Sequence, residues 1–130
     1  MKKILFVCVE NSCRSQMAEA YARLHGAGVI EAYSSGSRPS GQINQRAVHF
    51  MRERGYDLGQ HVSKSLGDIP DVEYDYAITM GCGDECPFVR AKQRADWGIP
   101  DPKHLDDAGF RASRDLIETK VLELIAQLKV

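Results

Sequence analysis

The sequence has no hydrophobic run of membrane-spanning length, no surplus of charge of either sign, and no export signal to go with its four cysteines. Met1-Lys2-Lys3 has the positive start of a secretory leader, but the apolar run Ile4 to Val9 meets Glu10 before reaching the length a leader needs. A cytoplasmic location with no membrane partner is therefore expected. The 17 basic and 18 acidic side chains leave a formal charge of -1, so no global field draws the chain to nucleic acid and any anion site must be local. There is no internal repeat, linker or low-complexity tract. In a reducing compartment four cysteines argue against structural disulfides and for metal binding or thiol chemistry, without choosing between them. What is present, 130 residues of which 43% are hydrophobic and 27% charged, suits one compact domain over 1–130 with a single core.

Lys3-Ile4-Leu5-Phe6-Val7-Cys8-Val9 is short, β-branched and apolar, the pattern of a strand covered on both faces of a parallel sheet. Gln16 to His25 reads as a helix with Met17, Ala20, Tyr21 and Leu24 inward, closed by Gly26 and Gly28. Val29 to Ser35 predicts a second strand, and Asn44 a capped helix to Arg54 ended by Gly55. Asp75 to Met80 predicts another buried strand, Trp97 to Asp107 an irregular stretch, and Ile117, Val121, Leu124, Ile125 and Leu128 the apolar stripe of a last helix. Alternating strands and helices predict an α/β fold, a small three-layer sandwich around a central parallel sheet.

Cys8-Val9-Glu10-Asn11-Ser12-Cys13-Arg14-Ser15 falls between a buried strand and a helix N-terminus, where backbone N–H groups lack partners and the helix dipole is positive. A tetrahedral oxyanion there is ringed by the N–H groups of Val9, Glu10, Asn11, Ser12, Cys13 and Arg14, with the Arg14 guanidinium gripping two oxygens. Cys8, at the base of that ring, feels the same dipoles and the same arginine. Both favour the thiolate, the nucleophilic form. Ser15 is placed to hydrogen-bond it. A lone cysteine at a strand end is more often simply packed, but Cys-x5-Arg-Ser between strand and helix favours an oxyanion site.

Those eight residues resemble the phosphate loop of low-molecular-weight protein tyrosine phosphatases and of the arsenate reductases that share their fold. Asn11 to Ala20 is especially similar to the reductases, and Tyr33-Ser34-Ser35-Gly36, Thr79-Met80-Gly81-Cys82 and Trp97-Gly98-Ile99-Pro100-Asp101-Pro102 extend the likeness along the chain. The resemblance implies that Asp101, stiffened by Pro102, is a general acid. It also implies that Cys8 attacks arsenate, that Cys82 and Cys86 carry a disulfide relay, and that no cofactor is needed beyond thioredoxin or another thiol donor, with glutaredoxin or a low-molecular-weight thiol as alternatives. Cys82 follows a parallel strand and so belongs to the same carboxyl-end crevice as Cys8, with Cys86 within reach of it across a glycine-bearing loop. Cys13 has no required step. Some relatives hold a potassium ion; Asn11, Glu19 and Ser34 match its ligands, but Lys64 stands where they have aspartate, and its ammonium would replace the ion.

Three other readings compete. A phosphatase for aryl phosphates needs Cys8, Arg14 and Asp101 only, but such enzymes usually carry tyrosine after the Asp-Pro, where this chain has Lys103-His104. A zinc site of Cys8, Cys13, Cys82 and Cys86 has an even count of ligands but sets Arg14 beside the metal, so no metal is expected. A non-catalytic thiol sensor would use the same cysteines. His25, His49, His61 and His104 are scattered, which suggests surface or packing roles.

Overall fold

The computed structural model describes residues 1–81 and 89–129; Cys82 and Cys86 lie outside them. Four strands, β1 (Lys2–Cys8), β2 (Ile30–Gly36), β3 (Tyr74–Thr79) and β4 (Ala91–Asp96), form a parallel sheet in the order β2-β1-β3-β4. Three helices, α1 (Arg14–His25), α2 (Gln45–Arg52) and α3 (Asp107–Leu128), complete the predicted α/β architecture. β1 is central because Ile4 to Cys8 are apolar on both faces and buried on both.

On one face, Ile4, Phe6 and Ile78 pack against Met17 and Tyr21 of α1, Phe50 and Met51 of α2, and Phe110, Ile117 and Val121 of α3. On the other, Leu5, Val7 and Tyr74 are covered by Tyr33, Leu66, Ile69, Val72 and Val89. Among the described residues no helix is long and apolar enough to cross a membrane.

β2 and β3 are each shifted by one residue from their expected limits, and α2 stops at Arg52 with Gly55 just beyond at φ 79°. Asn44 caps α2 as expected, its side chain accepting from the backbone N–H groups of Arg46 and Ala47. Asp106 caps α3 by accepting from Gly109 N. One strand was not anticipated, and one expectation needs correction. β4, of sequence AKQRAD, had no sequence signal because it is an edge strand with a largely exposed polar surface, and its charges suit an unpaired edge. Leu24, assigned to the inward face of α1, is 42% exposed, whereas Ser15, Gln16 and Glu19 are buried. That helix is surrounded by protein over most of its length, so its polar side is also interior.

α2 and α3 are clamped by Glu53, which accepts from Arg111 Nε and Nη2 at 3.1 and 2.9 Å and from Arg114 Nη1 at 2.6 Å. These bonds, first from Arg111 and then from Arg114, hold the Glu53 carboxyl down at about 2. A carboxyl depressed in the folded state adds stability above its ordinary value of 4.5 and loses it as pH falls toward about 2. Thermal melts of Glu53→Gln should show a lower Tm than wild type at neutral pH and a gap that closes across that acid window. A gap independent of pH would show that the clamp is not carried by the ionised carboxylate.

Candidate active site

The segment between β1 and α1 is organised by its carbonyl groups. Val9 O accepts from Arg38 N at 2.8 Å, Glu10 O from Ser40 N at 3.0 Å, Ser12 O from Asn44 N at 2.8 Å and Cys13 O from Met17 N at 2.9 Å. Asn11 O accepts from Gln16 Nε2 at 3.2 Å, and Glu10 O also from Ser63 Oγ at 3.1 Å. With these carbonyls drawn outward, the intervening N–H groups turn inward, as an anion ring requires. Asn11, at φ 50°, makes the left-handed turn that closes the ring, a conformation asparagine tolerates better than most residues. Cys13, the N-cap of α1, makes no side-chain capping bond. The loop is pressed against the end of β2, where a Cβ on Gly36 would lie 2.4 Å from Val9 O and 2.9 Å from both Cys8 O and Asn11 N.

Cys8 Sγ lies 2.8 Å from Ser15 Oγ, and both residues are buried. Asn11 Nδ2 donates to the same Ser15 oxygen at 2.9 Å, which leaves the Ser15 hydroxyl proton for the sulfur. Asn11 Oδ1 accepts from Gln16 Nε2 and from Lys64 N, each at 2.7 Å. Gln16 Oε1 is 2.8 Å from His61 Nδ1, and His61 Nε2 is 2.6 Å from Tyr56 OH. Burial pushes the His61 pKa down, against the pull of Glu19, and favours the neutral ring. Since Gln16 Oε1 can only accept, the proton of that neutral ring belongs on Nδ1, and Nε2 accepts from Tyr56. The packing role expected of the histidines thus becomes, for His61, the outer end of a chain reaching Cys8.

Glu19 is buried beside this chain. It accepts from Arg23 Nε at 2.9 Å and from Ser34 Oγ at 2.5 Å, and Lys64 Nζ stands 3.5 Å from its Oε1. The Lys64 ammonium thus occupies the surroundings that the resemblance assigns to potassium, so these residues do not fit a second cation. Gln16 and His61 gave no functional signal in the sequence and Glu19 only a match to a cation ligand, although Gln16 and Glu19, polar residues inside an alanine-rich helix, mark a buried network once that helix is known to be enclosed.

A cavity of about 350 Å³ opens above Cys8, lined by Cys8, Val9, Glu10, Ser12, Cys13, Arg14, Gly81, Asp101 and Lys103. Six of the predicted loop residues meet Asp101 there. Ser15 lies behind Cys8, and Asn11 does not line the cavity, because its side chain is directed into the network just described. Arg14 Nη1 donates to Met80 O at 2.6 Å and Ile99 O at 2.9 Å, which fixes the guanidinium between the ends of β3 and β4. Both Nη1 protons are then engaged, and the Nε–Nη2 edge remains for an oxyanion. Arg14 Nη2 is 3.8 Å from Asp101 Oδ2. Asp101 also caps a 3₁₀ turn over Pro102–His104 by accepting from Lys103 N at 3.1 Å. Of the two carboxylates that follow in the chain, Asp106 caps α3 and Asp107 pairs with Arg46. Burial raises the Cys13 thiol far above its ordinary range, and Asp101 and Cys8 push it the same way. Cys13 therefore stays a thiol beside Cys8. Gly81 and Lys103 are wall residues that the motif did not indicate.

A strand-end cysteine under an N–H ring with an anchored arginine defines the site, and the model of the low molecular weight phosphotyrosine protein phosphatase family matches residues 3–130. The chain belongs to that family. Within it, a glutaredoxin arsenate reductase from Synechocystis sp. is 37% identical over 131 residues, covering 98% of this chain and 99% of that one. An arsenate reductase from Bacillus licheniformis is 40% identical over 132 residues, with 92% of each chain covered. A solved arsenate reductase in its phosphate-binding state superposes with a TM-score of 0.88 at 37% identity, covering 98% of this chain and 99% of that one. The phosphatase-family fold and the loop geometry thus agree.

The contact between β2 and the loop gives a direct test of the ring. Gly36→Ala would force a methyl group into fixed backbone, so it should destabilise the protein by ~1–3 kcal/mol and abolish binding of inorganic phosphate. Calorimetric titration and thermal melts measure both; a variant that binds and melts like wild type would show that this approach does not shape the loop.

Proposed function

We propose that the protein reduces arsenate to arsenite. The phosphatase-type loop alone suits any tetrahedral oxyanion; what favours reduction is that Gly81, the residue preceding Cys82, forms part of the same cavity wall as Cys8. A single thiol cannot complete a two-electron reduction, and the sequence supplies two more cysteines, Cys82 and Cys86, one and five positions after Gly81. The named arsenate reductases among its relatives support the same reading.

In this mechanism the N–H ring and the free edge of Arg14 hold arsenate over Cys8. The Cys8 thiolate, stabilised by the Ser15 hydroxyl, attacks arsenic. An As–O bond breaks, and Asp101 delivers the proton that lets the oxygen leave as water. The Cys82 thiolate then attacks the Cys8 sulfur. The S–As bond breaks with its electron pair going to arsenic, which falls from the +5 to the +3 state and leaves as arsenite. Cys86 attacks Cys82 of the new disulfide and releases the Cys8 thiolate, so the two electrons lost by protein sulfur reside as a Cys82–Cys86 disulfide. A dithiol donor such as thioredoxin, or a glutaredoxin-type or low-molecular-weight thiol system, reduces that bond. No prosthetic group enters, and the reaction suits a protein of the cytoplasm.

Cys8→Ser should lower arsenate turnover by more than about 10³-fold, the scale of losing a nucleophile. Cys82→Ser and Cys86→Ser should consume at most stoichiometric thiol and stop, with thioredoxin and glutaredoxin systems supplied separately. Full multiple turnover in both variants would overturn the relay, and a protein that hydrolyses aryl phosphates but reduces no arsenate would be a phosphatase.

Lys64 supports a second expectation. Its ammonium beside Glu19 does the electrostatic work of a bound potassium ion, so turnover should be the same in KCl and NaCl at matched ionic strength. Strong potassium-specific stimulation would overturn it.

A further inference from the structure

The mouth of the cavity carries an ion pair with no part in the chemistry above. Lys103 Nζ lies 3.1 Å from Glu10 Oε2 and 3.4 Å from Glu10 Oε1, joining the anion loop to the turn that follows Asp101. Both side chains line the cavity and both are more than 40% exposed. Such a pair is weakly held in water and readily exchanged.

We propose that Lys103 is a binding residue for the oxyanion, kept at the mouth by Glu10 until a doubly charged substrate displaces the carboxylate. The proposal rests on the oxyanion reading of the loop. Glu10 is confined to the rim, since its carbonyl is tied to Ser40 N and Ser63 Oγ. Lys103 is anchored through its backbone N–H to Asp101, while its ammonium ends a flexible four-carbon stem. At equal distance a dianion attracts that ammonium about twice as strongly as a carboxylate does. When the ammonium turns inward, Glu10 is left facing solvent, where an unpaired carboxylate is well hydrated.

The exchange discriminates by charge. A dianionic arsenate or phosphate draws Lys103 from Glu10, whereas arsenous acid, the uncharged product at neutral pH, does not. Once arsenic is reduced, the ammonium returns to Glu10 and the product loses one of its contacts. In the empty site the pair also cancels the negative charge that Glu10 would otherwise set at the entrance to an anion pocket.

The test is equilibrium binding of inorganic phosphate to the reduced protein, at low and high salt. Lys103→Gln should weaken phosphate roughly two- to fivefold and Glu10→Gln should tighten it by a similar factor, the span expected of an exposed ion pair. Both effects should shrink at high salt, and Lys103→Arg should bind like wild type. Steady-state KM for arsenate should move in the same directions, with kcat changed less. If the pair were only a structural brace, the two Gln variants would shift binding in the same direction or not at all, and either result overturns the proposal. Arg14→Lys is the control: if that variant also bound phosphate like wild type, the oxyanion reading of the loop would fail instead.

Discussion

Asn11 carries the constraint on which the site depends. A ring of N–H groups around an anion requires successive peptides to turn their carbonyls outward, and the chain must pass through a left-handed conformation to do so. Asn11 takes that conformation at φ 50°, and its amide then joins the elements around the loop. One end donates to Ser15, which leaves the serine proton for Cys8; the other accepts from Gln16 and from the backbone of Lys64. One buried side chain therefore closes the loop and favours a Ser15 hydroxyl turned toward the Cys8 sulfur. A buried amide with its bonding capacity so used is rigid, because displacing it strands several polar groups at once.

This rigidity suits the anion site proposed for a nearly neutral protein. Backbone dipoles do not titrate, and Arg14 is held by two carbonyls, so the positive field at the cavity needs no excess of lysine or arginine on the surface. Behind the ring Glu19 faces Arg23 and Lys64, and in the cavity wall Asp101 faces Arg14. Cys13 is kept protonated by its burial, so it does not set a second negative sulfur beside Cys8.

Much of this was legible in the sequence where local pattern and tertiary demand coincide. The apolar run of β1, the Asn44 cap of α2 and the Cys-x5-Arg-Ser spacing each state a local requirement that the fold satisfies. The pattern was silent where the requirement is tertiary. β4 is polar because it lies at an edge, and parallel pairing with β3 rather than hydrophobic burial makes it a strand. The apolar spacing of α1 did not mark its polar side as buried, but Ser15, Gln16 and Glu19 are interior because the loop and the 56–64 segment close over them. Leu24, by the same error of facing, is the apolar residue left outside. Lys103 looked like a departure from the phosphatase pattern, and only its contact with Glu10 gives it a place in the wall.

Sheet order accounts for why chemistry from distant parts of the chain meets at one point. β1 lies directly beside β3, and the ladder continues past the strand ends, with Met80 N donating to Val7 O at 3.1 Å. In a parallel sheet both strands arrive at the same edge, so the loop after β1 and the residues after β3 are neighbours by necessity. β4, next to β3, brings Ile99 and Asp101 to the same edge, and Arg14 reaches across to Met80 and Ile99. Arg14 is thus a fastener between three strand ends. The anion binding proposed for it uses the same guanidinium that closes the sheet's carboxyl edge, so neither can be altered at that position without the other.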